Sequence, residues 1–391
     1  MIKAQTLKGF RDFLPNEAKK RNYVINTLKE VFESYGFEPI ETPALEYEEI
    51  LAGKYGDEGE RLMYKFTDQG GRKIALKYDQ TVPLARIVAQ YLNEITLPFK
   101  RYQIQCAWRA ENPQKGRYRE FTQCDIDIVG VDSALSDYEL CEIALLGYKK
   151  LGFKKIKILI NDRSAFGDIP NAALLTVDKL NKVGEEKVKK ELEEKGFGEK
   201  TLDKIKNLKP SQRVTEILEL AKKAGFENEI VFEPTLARGL DYYTEIIMEV
   251  NIEEYQSGSL GGGGRYNNLI SLFINKQIPA VGFSFGFDRT IDAMEDLNLF
   301  PKDMQATKVL VTYSEKALSV AKILRDKNIN TEVYPEEKDL EKQLKYADKK
   351  QIPYVIMIND ERLMIKDMKA RTQEELKIEE IINKLRQEKP L

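Results

Sequence analysis

Two runs of alternating residues, 102–108 and 121–129, constrain this chain more than any other feature. Alternation with period two puts successive side chains on opposite faces of a strand. The polar stretch between the runs carries Asn112-Pro113 and Lys115-Gly116 as turn signals. The segment therefore reads as two antiparallel strands joined by a long loop. The strand ends hold Arg109, Arg117 and Arg119 close to Glu111 and Asp127. Phe121 shares a strand face with Gln123, two residues on. Cations and carboxylates gathered this way suit a ligand with both a phosphate and an ammonium group. An aromatic ring beside arginines suits a nucleotide base. A solvated, charged hairpin is the alternative reading of the same residues.

The chemistry open to such a site is narrowed by one absence. The 391 residues include no histidine. That excludes Ser-His-Asp and Cys-His sites, a histidine general base and any His-ligated metal. Lys+Arg 62 against Asp+Glu 64 gives a net charge of −2, so any surface for nucleic acid must be local. Cys106, Cys124 and Cys141 show no paired spacing, which points to a reduced, intracellular, cytoplasmic setting. No apolar run approaches membrane-spanning length, and the N-terminus lacks a signal-peptide core.

Elsewhere the pattern predicts a helix over 17–35 that stops at Gly36, and paired strands at 63–67 and 74–78. Further helices are predicted over 80–92 and 137–151, and a strand over 155–161. A Lys/Glu-rich helical stretch follows, and residues 162–228 read as a helical insertion. Strands return near 243–250 and 280–285. Beyond Pro301 the order strand-helix-strand-helix-strand implies a parallel α/β module. The expected fold is an α+β domain, 1–161 and 229–300, with an antiparallel sheet flanked by helices. The insertion interrupts it, and an α/β domain follows at 306–391.

Four more segments could carry chemistry. Leu236-Ala-Arg-Gly-Leu-Asp-Tyr-Tyr-Thr244 sets Arg238 beside a glycine that allows close approach of a ligand. On a strand, Tyr242 and Tyr243 would point to opposite faces. A turn packed by core tyrosines fits equally well. Gly258 to Asn267 contains four consecutive glycines, which could cradle a ligand or form a flexible turn, followed by Arg265 and Tyr266; it is neither a Walker nor a Rossmann loop. Residues 280–289 run from an apolar strand into a helix opened by Asp288 and Arg289, whose charge would favour phosphate. In Tyr78-Asp-Gln-Thr-Val-Pro83, Asp79 and Thr81 would share one face of a continuing strand and suit an α-amino group. Alternatively they cap a helix.

Together and in this order, these segments resemble class II aminoacyl-tRNA synthetases, and within them the histidyl-tRNA synthetases. Lys8-Gly-Phe-Arg-Asp-Phe-Leu-Pro15 is similar to the family's N-terminal signature. Phe37-Glu-Pro-Ile-Glu-Thr-Pro43 resembles motif 1, the hairpin motif 2, and Gly282 to Arg289 motif 3. Leu236 to Tyr243 and Gly263-Gly-Arg-Tyr266 resemble two signatures peculiar to the histidine enzymes. Tyr334-Pro335-Glu336 and residues 343–350 resemble the anticodon-binding domain.

The resemblance implies activation of L-histidine by ATP with Mg2+, transfer to tRNA, and a homodimer with Pro43 at its interface. It implies Arg109 and Arg238 as the catalytic pair at the α-phosphate. Glu111, Arg117, Phe121 and Arg289 would complete the ATP site, with adenine between Phe121 and Arg289. Asp79, Thr81 and Gln123 would hold the amino acid's α-amino and carboxylate groups, together with Arg238. Asp127 would accept from the imidazole, with Tyr242, Tyr243 and Tyr266 around it. Gln114 would approach the tRNA acceptor end. No metal would be held by protein side chains alone. The alternative is a non-catalytic regulatory subunit of ATP phosphoribosyltransferase, which resembles the same core. The chain departs from the family pattern at Phe10, Asn112, Glu245 and Asp288.

Overall fold

The computed structural model describes residues 2–54, 56–114, 116–198, 200–237, 242–255, 258–302, 304–359 and 362–387. Two compact units emerge, Met1–Phe300 and Pro301–Leu391.

In the first unit, local sequence signals build the covering helices. Helix Pro15–Ser34 has proline in its first turn and buries Val24, Leu28, Val31 and Phe32 at helical spacing. Gly36 follows at φ +77°, a conformation that favours glycine. Helix Ala134–Lys150 is opened by Ser133, whose side chain accepts from the Ser136 N–H. Both pack on one face of an eight-stranded sheet. In order across the sheet the strands are Glu38–Pro39, Phe99–Trp108, Glu120–Val129, Ala280–Phe285, Gly261–Arg265, Ile246–Ile252, Ile156–Asp162 and Ile230–Phe232. Neighbours run antiparallel except at the two edges.

Period-two alternation then sorts the side chains. Tyr102, Cys124, Ile126, Val281, Phe283 and Phe285 join the core under the helices. Arg101, Gln103, Gln105, Gln123, Asp125, Asp127 and Ser284 fall on the opposite face. That polar face is the one left for a ligand. A small three-stranded sheet, Leu45–Tyr47, Lys73–Leu76 and Lys65–Thr67, lies in the chain just before helix Thr81–Gln90.

Glycine makes the centre of the large sheet possible. A Cβ at Gly263 would sit 2.1 Å from the Gly282 carbonyl oxygen. One at Gly282 would sit 2.0 Å from Asp127 Oδ1. The four-glycine run is thus a strand, not a flexible turn, and its bare backbone permits close packing.

The expected insertion divides in two. Leu174, Val177, Val188, Leu192, Leu202 and Ile205 form a core of their own with Phe166. Helix Gln212–Lys223, also expected within the insertion, instead buries Val214, Ile217 and Ala221 in the main core. Its Lys/Glu-rich surface hid that apolar stripe.

Behind the glycine strand, Arg265 and Asp137 form an ion pair of 2.8 Å, both side chains fully buried. Burial pushes the Asp137 carboxyl up to about 6 despite the guanidinium. Its folded value lies above the usual 3.8, so the part of stability linked to its protonation is full at low pH and is lost as pH rises through about 6, while the ion pair itself remains. Among the described residues, removing the carboxylate leaves the buried Arg265 guanidinium only the half-exposed Asp132, 3.6 Å away, as an acidic partner. Asp137→Ala is expected to cost about 3–5 kcal/mol at neutral pH, read from the urea midpoint. A loss under about 1 kcal/mol would sink this account.

The second unit has a five-stranded sheet. Thr331–Val333, Val309–Val311 and Tyr354–Asn359 are parallel, as the strand-helix alternation predicts. Arg362–Asp367 and Gln373–Glu375 extend it antiparallel, which the sequence reading did not include. Helices Ala317–Arg325 and Ile378–Gln387 bury Ala321, Leu324, Ile381 and Leu385 in one core. Ala347 of helix Leu340–Lys349 belongs to a separate core with Leu310 and Val355.

Candidate active site

The polar face of the first unit opens into a cavity of about 470 Å3. Arg109, Glu111, Arg117, Phe121, Gln123 and Arg289 line it, so the hairpin and the motif-3-like helix converge on it. The hairpin register pairs Trp108 with Glu120 and continues to Phe99 and Val129. Trp108 Nε1 donates to Glu120 Oε2 at 2.7 Å and closes the strand ends.

Arg109 is held before any ligand arrives. Its Nε donates to the Tyr78 carbonyl at 3.2 Å. Its guanidinium lies 4.3 Å from the Tyr78 ring centroid and 4.9 Å from that of Phe121. Tyr78 also lines the cavity; sequence reading missed it because it looked like an ordinary strand residue. Arg289 NH1 donates to the Ser259 carbonyl at 3.2 Å, anchoring it beside the loop that precedes the glycine strand. Arg117 pairs with Glu111 at 3.6 Å while half exposed, a contact of small energy that leaves Arg117 mobile. Gln114 is exposed and forms a small bridge with Arg117 in the hairpin loop.

Asp288 ties three segments together. Its Oδ1 lies 2.7 Å from both Arg11 and Arg21, and its Oδ2 accepts from the Thr122 N–H at 3.3 Å. The N-terminal signature, the first helix and the hairpin thus meet at the residue before Arg289. Glu245, another departure, accepts from Asn267 Nδ2 at 3.0 Å.

Several expected positions need correction. Asp79 and Thr81 do not share a strand face. Thr81 opens helix Thr81–Gln90, and Asp79 Oδ1 accepts from the Val82 N–H at 3.1 Å, as a helix cap does. Asp79 Oδ2 accepts from the Tyr242 hydroxyl at 3.1 Å. Tyr242 and Tyr243 do not diverge across a strand either. The strand starts only at Ile246, and the two rings meet edge-on at 5.2 Å. Tyr243 lines the cavity.

Asp127 is buried on the polar face, outside the residues that line the cavity. It accepts from the Tyr266 hydroxyl, and its Oδ2 lies 2.6 Å from Arg101. Burial pushes its carboxyl up, and Arg101 opposes that shift. Tyr266, 1% exposed, is buried with it. Arg101 escaped sequence reading because it precedes the loop, on a strand face that looked merely polar. Arg238 lies outside the described residues.

The family model for histidyl-tRNA synthetase matches residues 9–214 and 187–290, and that for an anticodon binding domain matches 301–388. A histidine–tRNA ligase of Christiangramia forsetii is 40% identical over 94% of this chain and 96% of its own length. One from Treponema denticola is 37% identical over 100% and 99%. Among solved structures, histidyl-tRNA synthetase from Nostoc sp. PCC 7120 superposes with TM-score 0.83 at 28% identity, covering 99% of this chain and 100% of that one. An ATP phosphoribosyltransferase regulatory subunit/histidyl-tRNA synthetase from Bacillus halodurans shares the fold, with TM-score 0.70 at 20% identity over 88% and 96%.

Proposed function

Since the chain belongs to the histidyl-tRNA synthetase family, we propose that it joins L-histidine to ATP as histidyl-adenylate, releasing pyrophosphate, and then passes histidine to the 3′ end of its tRNA. The observation that carries this reading is the convergence of Arg109, Phe121, Gln123 and Arg289 on one cavity.

The first step is attack by a carboxylate oxygen on the α-phosphorus. It needs alignment and charge neutralisation more than proton transfer, which suits a protein without histidine. Arg109 meets the α-phosphate, Arg117 reaches the outer phosphates, and adenine stacks between Phe121 and Arg289, with Glu111 completing the ATP site. Arg238 neutralises the α-phosphate and the amino acid's carboxylate. Asp79, Thr81 and Gln123 hold the amino acid backbone. Asp127 supports the imidazole end through Tyr266, with Tyr242 and Tyr243 beside it. Groups of this polarity reject an apolar analogue, which would leave them unpaired.

Mg2+ bound with ATP would supply charge neutralisation at the phosphates. Glu111 and Glu249 on the cavity wall are oxygen donors of the kind it accepts. The anticodon-binding unit engages tRNA, and Gln114 in the exposed hairpin loop approaches the acceptor end. A homodimer is supported by a groove near Pro43 with Leu45, Tyr47 and Tyr91 exposed. Unpaired cysteines support a cytoplasmic setting.

A regulatory subunit of ATP phosphoribosyltransferase fits less well. The cavity keeps Arg109 and Arg289, and a complete anticodon-binding unit follows it. Purified protein is expected to exchange pyrophosphate into ATP only when histidine is added, and Arg238→Ala to abolish that exchange. Folded, ATP-saturated wild-type protein without exchange would overturn the reading. Exchange with proline, threonine or glycine instead would reassign the substrate.

A further inference from the structure

We propose that Asp125 is a positioning residue for the α-ammonium of the amino acid: it orients the Gln123 side-chain amide so that Oε1 faces the cavity. This rests on the histidine-activating reading above and adds a residue to it.

An amide can sit either way round, as a donor or an acceptor toward a given point. Here the choice is made from behind. Gln123 Nε2 donates to Asp125 Oδ2 at 3.3 Å. The reverse orientation would set an oxygen against a carboxylate oxygen. Gln123 lines the cavity, and among the described residues its buried Oε1 has no hydrogen-bond partner. A buried acceptor left this way is costly unless a ligand supplies the donor. The backbone beneath is pinned too, since Gln80 Nε2 donates to the Gln123 carbonyl at 3.4 Å and to the Gln105 carbonyl at 2.9 Å.

The charges around Asp125 favour a cation as that donor. Asp125 is 3% exposed and shares its strand face with Gln123 and Asp127. Arg101 faces it from the neighbouring strand, Lys77 from the small sheet's end, and Asp79 from the helix cap. Ser284 pairs with it across the ladder and hydrogen-bonds its carboxyl. Among the described residues, three acidic side chains therefore face two basic ones. Burial lifts the Asp125 carboxyl to about 7, so an arriving ammonium also draws it toward its charged form.

The test separates an ammonium role from general damage. Exchange assays on wild type, Asp125→Leu and Asp125→Asn would give KM for histidine and for ATP. Two competitive probes would be added: histidinol, which keeps the ammonium but lacks the carboxylate, and imidazole-4-propionate, which lacks the ammonium. Asp125→Leu is expected to weaken histidine and histidinol alike, by roughly ten- to hundredfold. KM for ATP and the inhibition constant of imidazole-4-propionate should stay within about twofold of wild type. Asp125→Asn keeps an acceptor oxygen and should weaken histidine and histidinol less, again sparing the propionate; it decides the matter if the leucine variant does not fold. Equal weakening of both probes, or of neither, would overturn the proposal. Wild-type protein without histidine-dependent exchange would instead bring down the functional reading, and this proposal with it.

Discussion

Replacing Arg109 with alanine should lower histidine-dependent ATP–pyrophosphate exchange by about 10²–10³-fold, mostly in kcat. The size of the effect follows from how the side chain is held. Its Nε is tied to the Tyr78 carbonyl, and its guanidinium rests against the rings of Tyr78 and Phe121. The charge is therefore in place before phosphate arrives, and little reorganisation remains for the transition state. A lysine at this position keeps the charge but loses the planar stack and the paired donors. Arg109→Lys should recover only a minor part of the lost rate. Unfolding midpoints should change little in either variant, because the residue lines a cavity and not a core. A loss below about fivefold in Arg109→Ala would show that the guanidinium is not at the reacting phosphate.

The second large effect is on folding. Gly263→Ala should destabilise the first unit by more than about 3 kcal/mol, at the upper end for overpacking. A methyl there lies 2.1 Å from the Gly282 carbonyl and 2.8 Å from the Phe283 Cα, both backbone atoms that cannot rotate aside. The strands on either side must part, and the ladder at the sheet centre breaks. Gly70→Ala is the control: its nearest neighbour is a surface carboxylate oxygen at 3.4 Å, and its cost should stay under about 1 kcal/mol. Urea midpoints of the two variants make the comparison. Equal midpoints would mean that the sheet centre can yield.

What could be read from sequence was governed by periodicity. The hairpin, the helix over Pro15–Ser34 and the parallel start of the second unit all announce themselves by spacing. The same tool left Asp79 and Thr81 open between a strand face and a helix cap. Period two looks alike in a strand and in a cap that opens a helix, and only the turn at Gln80 separates them. The tyrosine pair was left open for a related reason, and the strand begins three residues after Tyr243. The glycine run was ambiguous because glycine is used both for flexibility and for close approach. The choice between them lies with the neighbouring strand, which local sequence does not reveal. Arg101 and Asp125 were passed over although they stand on the legible strands. What marks them is a partner far along the chain or beneath the surface: Asp127 for one, the Gln123 amide for the other.

The indole of Trp108 closes the hairpin by donating to Glu120, and no other tryptophan occurs in the chain. The residue after it is Arg109. The molecule thus carries a built-in optical probe at one point, beside the rim of the cavity that Arg109 lines. Its emission under selective excitation reports on that rim, without contributions from the anticodon-binding unit. Nucleotide titration can therefore be followed on unlabelled protein, and a fluorescence change that precedes the loss of helical signal on heating would mark the rim loosening before the sheet does.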